Sequence, residues 1–162
     1  MEYKIIDNFL PTEIFDNIVS EIVQNIHFPL YIGNGVSNVN ANDGYYFAHL
    51  LYDLSEPHSN KFNLMIPILD KLNPFTIKKI KVNFYPKTSE VTYHGWHVDY
   101  DVPHKGAIYY LNTNNGKTIF NDGTEIESVS NRILLFDPSI KHRSTTCTDV
   151  SPGRYNINFN YC

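Results

Sequence analysis

The chain has 162 residues, 42% of them hydrophobic, enough for a single domain with a full core and too few for two ordinary domains. A formal net charge of −4 and only three arginines (Arg132, Arg143, Arg154) exclude a broad basic nucleic-acid surface. Cys147 and Cys162 build no disulfide framework, the N-terminus has no signal-peptide pattern and no apolar run approaches membrane-span length, so a soluble cytoplasmic protein is expected.

Lys4 to Phe9 reads as a short strand. Pro11 to Ile26 reads as a helix, with Ile14, Phe15, Ile18, Val19, Ile22, Val23 and Ile26 recurring at helical spacing and Pro11 suited to the first turn. From His27 to Asn60 the periodicity fails. Gly33-Asn34-Gly35, Asn38 to Gly44 and Glu56-Pro57 are turn chemistry, and Tyr45 to Tyr52 between them is an aromatic strand or hairpin arm. Long irregular segments often bind ligands, so 33–60 is expected to be a mobile lid. Lys61 to Leu72 is a second helix ended by Asn73-Pro74.

From Lys78 onward the pattern is strand after strand. Lys78–Tyr85, Gly106–Asn112, Thr118–Asn121, Glu125–Val129, Arg132–Phe136, Arg143–Thr148 and Arg154–Tyr161 are separated by Gly, Asn, Asp and Pro. The expected fold is mostly β with flanking helices: a double-stranded β-helix, or jelly roll, backed by N-terminal helices. One domain spans 1–162, with a helical and lid region over 1–77 and the jelly-roll core over 78–162. The last strand alternates Arg154, Asn156, Asn158 and Asn160 with Tyr155, Ile157, Phe159 and Tyr161. A polar row opened by an arginine suits the wall of a wet cavity, where buried polar groups find partners.

The chemistry gathers at Tyr93-His94-Gly95-Trp96-His97-Val98-Asp99. In a strand, residues two apart share a face, so His97 and Asp99 can reach one ion. His142, in Asp137-Pro138-Ser139-Ile140-Lys141-His142, supplies a third ligand across a run of strands. Two histidines and one carboxylate with open positions form the facial triad of non-haem Fe(II). Arg154, twelve residues after His142, could clamp a dicarboxylate bidentately.

His-x-Asp, a distant His and an Arg on the next strand together resemble the Fe(II)/2-oxoglutarate-dependent oxygenases, in particular the prolyl 4-hydroxylase-like branch and its small phage-encoded members. The resemblance runs from about Lys78 to Tyr161 and includes Ile108-Tyr109-Tyr110-Leu111-Asn112 and Arg132-Ile133-Leu134-Leu135-Phe136. It implies Fe2+ on His97, Asp99 and His142, with 2-oxoglutarate and O2 as cosubstrates and ascorbate as a stimulant. It further implies that Arg154 and Tyr110 hold the distal carboxylate of 2-oxoglutarate, with Tyr85 facing the cosubstrate and Asn156 near that carboxylate. His94 stands where prolyl hydroxylases often carry Tyr, and a role beside the metal or the substrate is expected for it. Asp99 fills the position that related halogenases leave to a halide, so hydroxylation of an aliphatic C–H is the expected reaction. The expected substrate is peptidyl (prolyl) or a small molecule, and the acidic balance argues against nucleic acid. The compartment would be the host cytoplasm for a phage-encoded chain. The rival is a cupin-like jelly roll holding zinc or another metal, as a binding module or hydrolase. A jelly roll without metal is a third reading.

Overall fold

The computed structural model describes residues 2–38 and 43–162, so the tip of the turn-rich stretch 38–44 lies outside the described residues. The elements in order are β1 (Tyr3–Ile6), α1 (Thr12–Ile22), β2 (Tyr31–Asn34), β3 (Tyr45–Asp53), β4 (Glu56–Pro57), a 3-10 turn over Asn60–Met65 running into α2 (Ile66–Leu72), β5 (Ile77–Pro86), β6 (Lys105–Tyr110), β7 (Asn114–Phe120), β8 (Glu125–Ser128), β9 (Arg132–Phe136), β10 (His142–Ser144) and β11 (Gly153–Tyr161). An eight-stranded sheet has the order β1-β9-β6-β11-β5-β3-β2, with β4 paired to β3, and faces a three-stranded sheet of order β10-β7-β8. All the pairings are antiparallel, and the result is the jelly roll backed by helices that the sequence predicts.

Strand alternation divides the large sheet into two chemically different faces. One face presents Ile80, Val82, Tyr109, Ile157 and Phe159, which pack against Ile18 and Ile22 of α1 and Met65 and Ile68 around α2 to form the main core. The opposite face, inside the roll, is apolar only at one end, where Ile108, Leu134 and Phe136 meet Phe120 and Ile126 of the small sheet. Its middle carries the polar rows of β5 and β11, in register as Arg154↔Tyr85, Asn156↔Asn83, Asn158↔Lys81 and Asn160↔Lys79. The main core therefore lies on the helical side, and the interior of the roll is free to hold a polar site.

Several local expectations need correction. Helix α1 stops at Ile22, because the Val23 and Gln24 amides both donate to the Val19 carbonyl and the Asn25 side chain accepts from the His27 amide, which starts a turn. Ile26 is consequently 90% exposed and does not extend the apolar face. The second helix opens as a 3-10 turn capped by Ser59, and becomes α-helical only at Ile66, where Pro67 sits in the first turn and needs no hydrogen-bond acceptor. The region Arg143–Thr148 contributes only the short strand β10.

The stretch 33–60, expected to be irregular, carries three strand segments. Gly33 and Asn34 belong to the edge strand β2, where the lack of a side chain on Gly33 leaves room for the Tyr46 ring; an added Cβ would lie 2.7 Å from Tyr46 Cε1. Strand β3 runs between β2 and β5 inside the large sheet, with Leu51 fully buried. Much of 33–60 is thus sheet, and residues 39–42 of the connection between β2 and β3 lie outside the described residues. Both cysteines are free thiols, Cys147 buried and Cys162 exposed. Among the described residues, no helix is long and apolar enough to cross a membrane.

Candidate metal centre

His97 and Asp99 lie in the connection between β5 and β6, outside any continuous strand, so the expected strand reduces to isolated bridges, Tyr93 with Thr145 and His97 with His142. The second bridge does the positioning. The His97 amide donates to the His142 carbonyl at 3.0 Å and the His142 amide returns a bond to the His97 carbonyl at 2.9 Å. The two residues are therefore a directly opposed antiparallel pair, with ring centroids 4.6 Å apart. The Asp99 amide donates to the Pro138 carbonyl at 3.0 Å, which turns the carboxylate back toward both rings. Asp99 Oδ1 lies 3.7 Å from Nε2 of each histidine. One ligand atom from each of the three falls within 4.8 Å of the others, a spacing that suits one ion.

The tautomers follow from the neighbours. His97 Nδ1 donates to the Gly95 carbonyl at 3.2 Å and His142 Nδ1 to the Ile140 carbonyl at 2.8 Å, leaving both Nε2 lone pairs facing Asp99. The other carboxylate oxygen, Oδ2, accepts the amides of Asn158 and Asn160, each at 3.0 Å. The bond to Asp99 fixes which way the Asn160 amide points, and its Oδ1 then lies 2.7 Å from His104 Nε2. Burial opposes ionisation of Asp99, but His142, the two amides and His97 more than offset it and hold its pKa below the ordinary carboxylate value. Burial also pushes the His142 imidazole below its usual range, against the pull of Asp99. A carboxylate beside neutral imidazole is the protonation state that metal binding requires.

Arg154 occupies the other side of His97. Its side chain is completely buried, and its guanidinium donates from Nε to Ser128 Oγ (2.8 Å), from one terminal nitrogen to the Thr145 carbonyl (3.3 Å) and from the other to Thr118 Oγ1 (3.2 Å). All three acceptors are neutral, and among the described residues Arg154 has no carboxylate in ion-pair contact. Gly116 makes its bed: a Cβ there would meet Arg154 Cδ at 2.7 Å. The compartment in front of the guanidinium is lined by Tyr85, Thr118, Asn156, His97 and His142, so it opens onto the histidine pair.

The remaining sequence candidates sit around this compartment with different contacts. Tyr85 is buried beneath the Arg154 guanidinium, 5.4 Å from ring centre to Cζ, and burial pushes its phenol pKa up, so the hydroxyl stays protonated. Tyr110 is fully buried, and its hydroxyl donates to Thr118 Oγ1 at 2.9 Å, one atom removed from Arg154. Asn156 accepts from Asn83 Nδ2 at 3.1 Å. His94 is not part of the triad: its Nδ1 is 2.7 Å from Ser144 Oγ and its ring stacks on Tyr85 at 5.1 Å. Burial, reinforced by Arg154, pulls its pKa down to about 4, so it is neutral. Sequence reasoning did not single out Thr118, Ser128 or His104. Their partners are 36, 26 and 56 residues away in the chain, and no local pattern signals them.

No family model matches this sequence, and no curated protein matches it. The fold does match solved structures. A prolyl hydroxylase from Trichoplax adhaerens, in complex with a hypoxia-inducible-factor oxygen degradation domain peptide fragment, aligns with a TM-score of 0.71 at 19% identity, over 98% of this chain and 82% of that one. The viral collagen prolyl hydroxylase of Paramecium bursaria Chlorella virus-1, in complex with 2-oxoglutarate (2OG), aligns with a TM-score of 0.69 at 14% identity, over 99% and 95%. A Pseudomonas putida prolyl-4-hydroxylase gives a TM-score of 0.66 at 14% identity, over 98% and 91%. At these identities the likeness establishes a common fold, and the activity must be argued from the residues.

Proposed function

We propose that this chain is an Fe(II)- and 2-oxoglutarate-dependent oxygenase that hydroxylates an aliphatic C–H. The observation that carries the reading is Arg154, a completely buried guanidinium with only neutral acceptors, facing the same compartment as His97 and His142. A buried charge without a counter-ion is costly, and a carboxylate-bearing ligand would remove that cost through charge-assisted hydrogen bonds. A zinc-holding jelly roll would use the triad but has no need of such an arginine.

His97, Asp99 and His142 fit a divalent metal: both Nε2 atoms are free to ligate, and Asp99 keeps Oδ1 for the ion while its other oxygen is held by two amides. Fe(II), when bound there, would supply O2 activation coupled to oxidation of 2-oxoglutarate to succinate and CO2, with one oxygen atom delivered to the substrate carbon. The rest of the chemistry is positioning. Arg154 would pair with the distal carboxylate, while Thr118 and Tyr85 hold neutral hydroxyls near it. The low-lying pKa of Asp99 keeps the ligand ionised without help from solvent. The fold likeness to three prolyl hydroxylases, one solved with a peptide, supports testing peptidyl proline as well as small molecules.

The test is succinate release from 2-oxoglutarate with Fe(II), followed by mass spectrometry of any stimulating substrate under 18O2. Succinate together with one labelled oxygen on an sp3 carbon is expected. Absence of 2-oxoglutarate binding, with tight zinc binding, would move the assignment to the zinc rival. An unlabelled desaturated or epimerised product would keep the cofactor and overturn hydroxylation.

A further inference from the structure

A second cavity adjoins His97 on the side away from Arg154. It measures about 260 Å3, and its lining includes Tyr46, Lys81, Asn83, His97, Asp99 and Asn158. That size is near the lower end for small-molecule sites and too small for a folded partner. We propose that this cavity is the substrate site and that Lys81 makes it an anion subsite, so that the substrate is a small molecule carrying a carboxylate or phosphate group. The inference rests on the oxygenase reading for its metal and cosubstrate.

Lys81 projects from the inner face of β5, opposite Asn158 of β11. Its Nζ donates to the Tyr46 hydroxyl at 3.1 Å and lies 5.0 Å from the centre of that ring. Among the described residues it is in ion-pair contact with no carboxylate, whereas Lys79, two positions earlier, pairs with Asp53 at 3.3 Å. An ammonium has three donors, and two of these are unaccounted for. The lysine is an ammonium at neutral pH, since burial, which lowers its pKa, is outweighed by its neighbours. Among the described residues, the one carboxylate lining the cavity is Asp99, whose Oδ2 is taken by two asparagines and whose Oδ1 faces the histidines.

Two further atoms ask for a ligand. Asn83 Oδ1 and Asn158 Oδ1 are buried and have no hydrogen-bond partner. Their orientation is fixed, because the Asn158 nitrogen donates to Asp99 and the Asn83 nitrogen to Asn156. Both residues line the cavity and also the Arg154 compartment, so they stand in the wall that the two share. A cation with spare donors beside two unused acceptors suits a ligand that joins an anionic group to an N–H or O–H donor, as a free α-amino acid does. A peptidyl proline, with neither charge nor N–H at the ring, would leave all three groups unmatched.

The experiment uses protein loaded with redox-inert Zn(II) and 2-oxoglutarate. Free L-amino acids are titrated against their carboxamides, and nucleoside monophosphates against nucleosides, with the amide signals of residues 79–85 followed by NMR. At least one anionic compound is expected to bind with a Kd below about 10 mM and about tenfold more tightly than its neutral counterpart. Whether the amino-acid or the nucleotide arm responds tells carboxylate from phosphate. Lys81→Met should abolish the preference and Lys81→Arg should retain it, and in both the calorimetric affinity for 2-oxoglutarate should stay within about twofold of wild type. If Lys81→Met does not fold, Lys81→Gln takes its place. Equal binding of charged and neutral members, or no anionic binder, overturns the subsite. So does a loss of 2-oxoglutarate affinity in Lys81→Met as large as in Arg154→Ala, which would give the lysine to the cosubstrate. If wild type binds no 2-oxoglutarate, the oxygenase reading fails, and the same comparison with Zn(II) alone still decides for or against the anion subsite.

Discussion

Asn160 donates a 3.0 Å hydrogen bond to Asp99 Oδ2 from 61 residues further along the chain, and its amide oxygen lies 2.7 Å from His104 Nε2. Together with Asn158 it holds the carboxylate so that its second oxygen faces the histidines. Outer-sphere groups of this kind typically contribute 10–100-fold to metal affinity, so Asn160→Ala should weaken metal binding by roughly that factor with the three ligands intact. Competition against a fluorescent chelator measures it. Unchanged affinity in an Asn158→Ala/Asn160→Ala double variant would show that these amides merely fill space.

Asp99→Ala should remove metal binding and turnover together. The main core lies on the helical side of the large sheet, so the variant should still fold. In wild type, metal at about 100 times its Kd should stabilise the fold by about 2.7 kcal/mol through mass action. Thermal melts with and without Fe(II) under anaerobic conditions should therefore separate for wild type and coincide for Asp99→Ala, and a chelator should collapse the wild-type shift. A persisting shift in the variant would place the ion elsewhere.

The grouping of His97, Asp99 and His142 and the jelly roll are legible in the sequence for physical reasons. Periodicity of two along β5 and β11 shows in the residues themselves, and the row Arg154, Asn156, Asn158 and Asn160 announces a polar interior because its opposite face is so apolar. Spacing alone puts His97 and Asp99 on one strand, yet they converge through a bridge and a bend, because the Pro138 carbonyl and His142 backbone capture their amides. Neither capture has a local signature. Strand β2 was hidden for a related reason: Gly33 and Asn34 carry turn chemistry, and only the Tyr46 ring lying against Gly33 explains a glycine in an edge strand. Lys81 shows in the sequence only as one polar position of the strand Lys78–Tyr85; that it makes no ion pair among the described residues is a tertiary fact.

Arg154→Ala should weaken 2-oxoglutarate binding by about 2–5 kcal/mol, the usual cost of truncating one partner of a buried charged pair. Tyr110→Phe acts one atom further out, through Thr118 Oγ1, which receives both the Tyr110 hydroxyl and an Arg154 nitrogen. Its cost should be nearer the 0.5–1.5 kcal/mol of a single neutral hydrogen bond, about one step of tenfold or less. Calorimetry on the Zn(II)-loaded proteins distinguishes these. A Tyr110→Phe loss equal to that of Arg154→Ala would mean that the phenol touches the ligand directly.

The last prediction concerns Asp43, which ties the connection between β2 and β3 to the segment that carries His97. Its carboxylate accepts the amides of Val36 (2.8 Å), Ser37 (3.1 Å) and Gly95 (2.7 Å). Burial opposes its ionisation, but the hydrogen bond from Gly95 and those from Ser37 and Val36 outweigh this and hold its pKa at about 2. With the folded pKa depressed, the stabilisation is fully present above the ordinary carboxylate value of 3.8 and is lost as pH falls toward about 2. Between pH 5 and 8 this contact should therefore contribute no pH dependence. Asp43→Asn removes the charge at all pH values and should cost on the order of 1 kcal/mol, since the site is partly open to solvent. The effect should be local: faster hydrogen exchange at Val36, Ser37 and Gly95, with the β5 and β11 amides unchanged at neutral pH. If Gly95 exchanges at its wild-type rate in Asp43→Asn, the carboxylate does not anchor the metal-bearing segment, and the connection 35–44 is mechanically separate from the site.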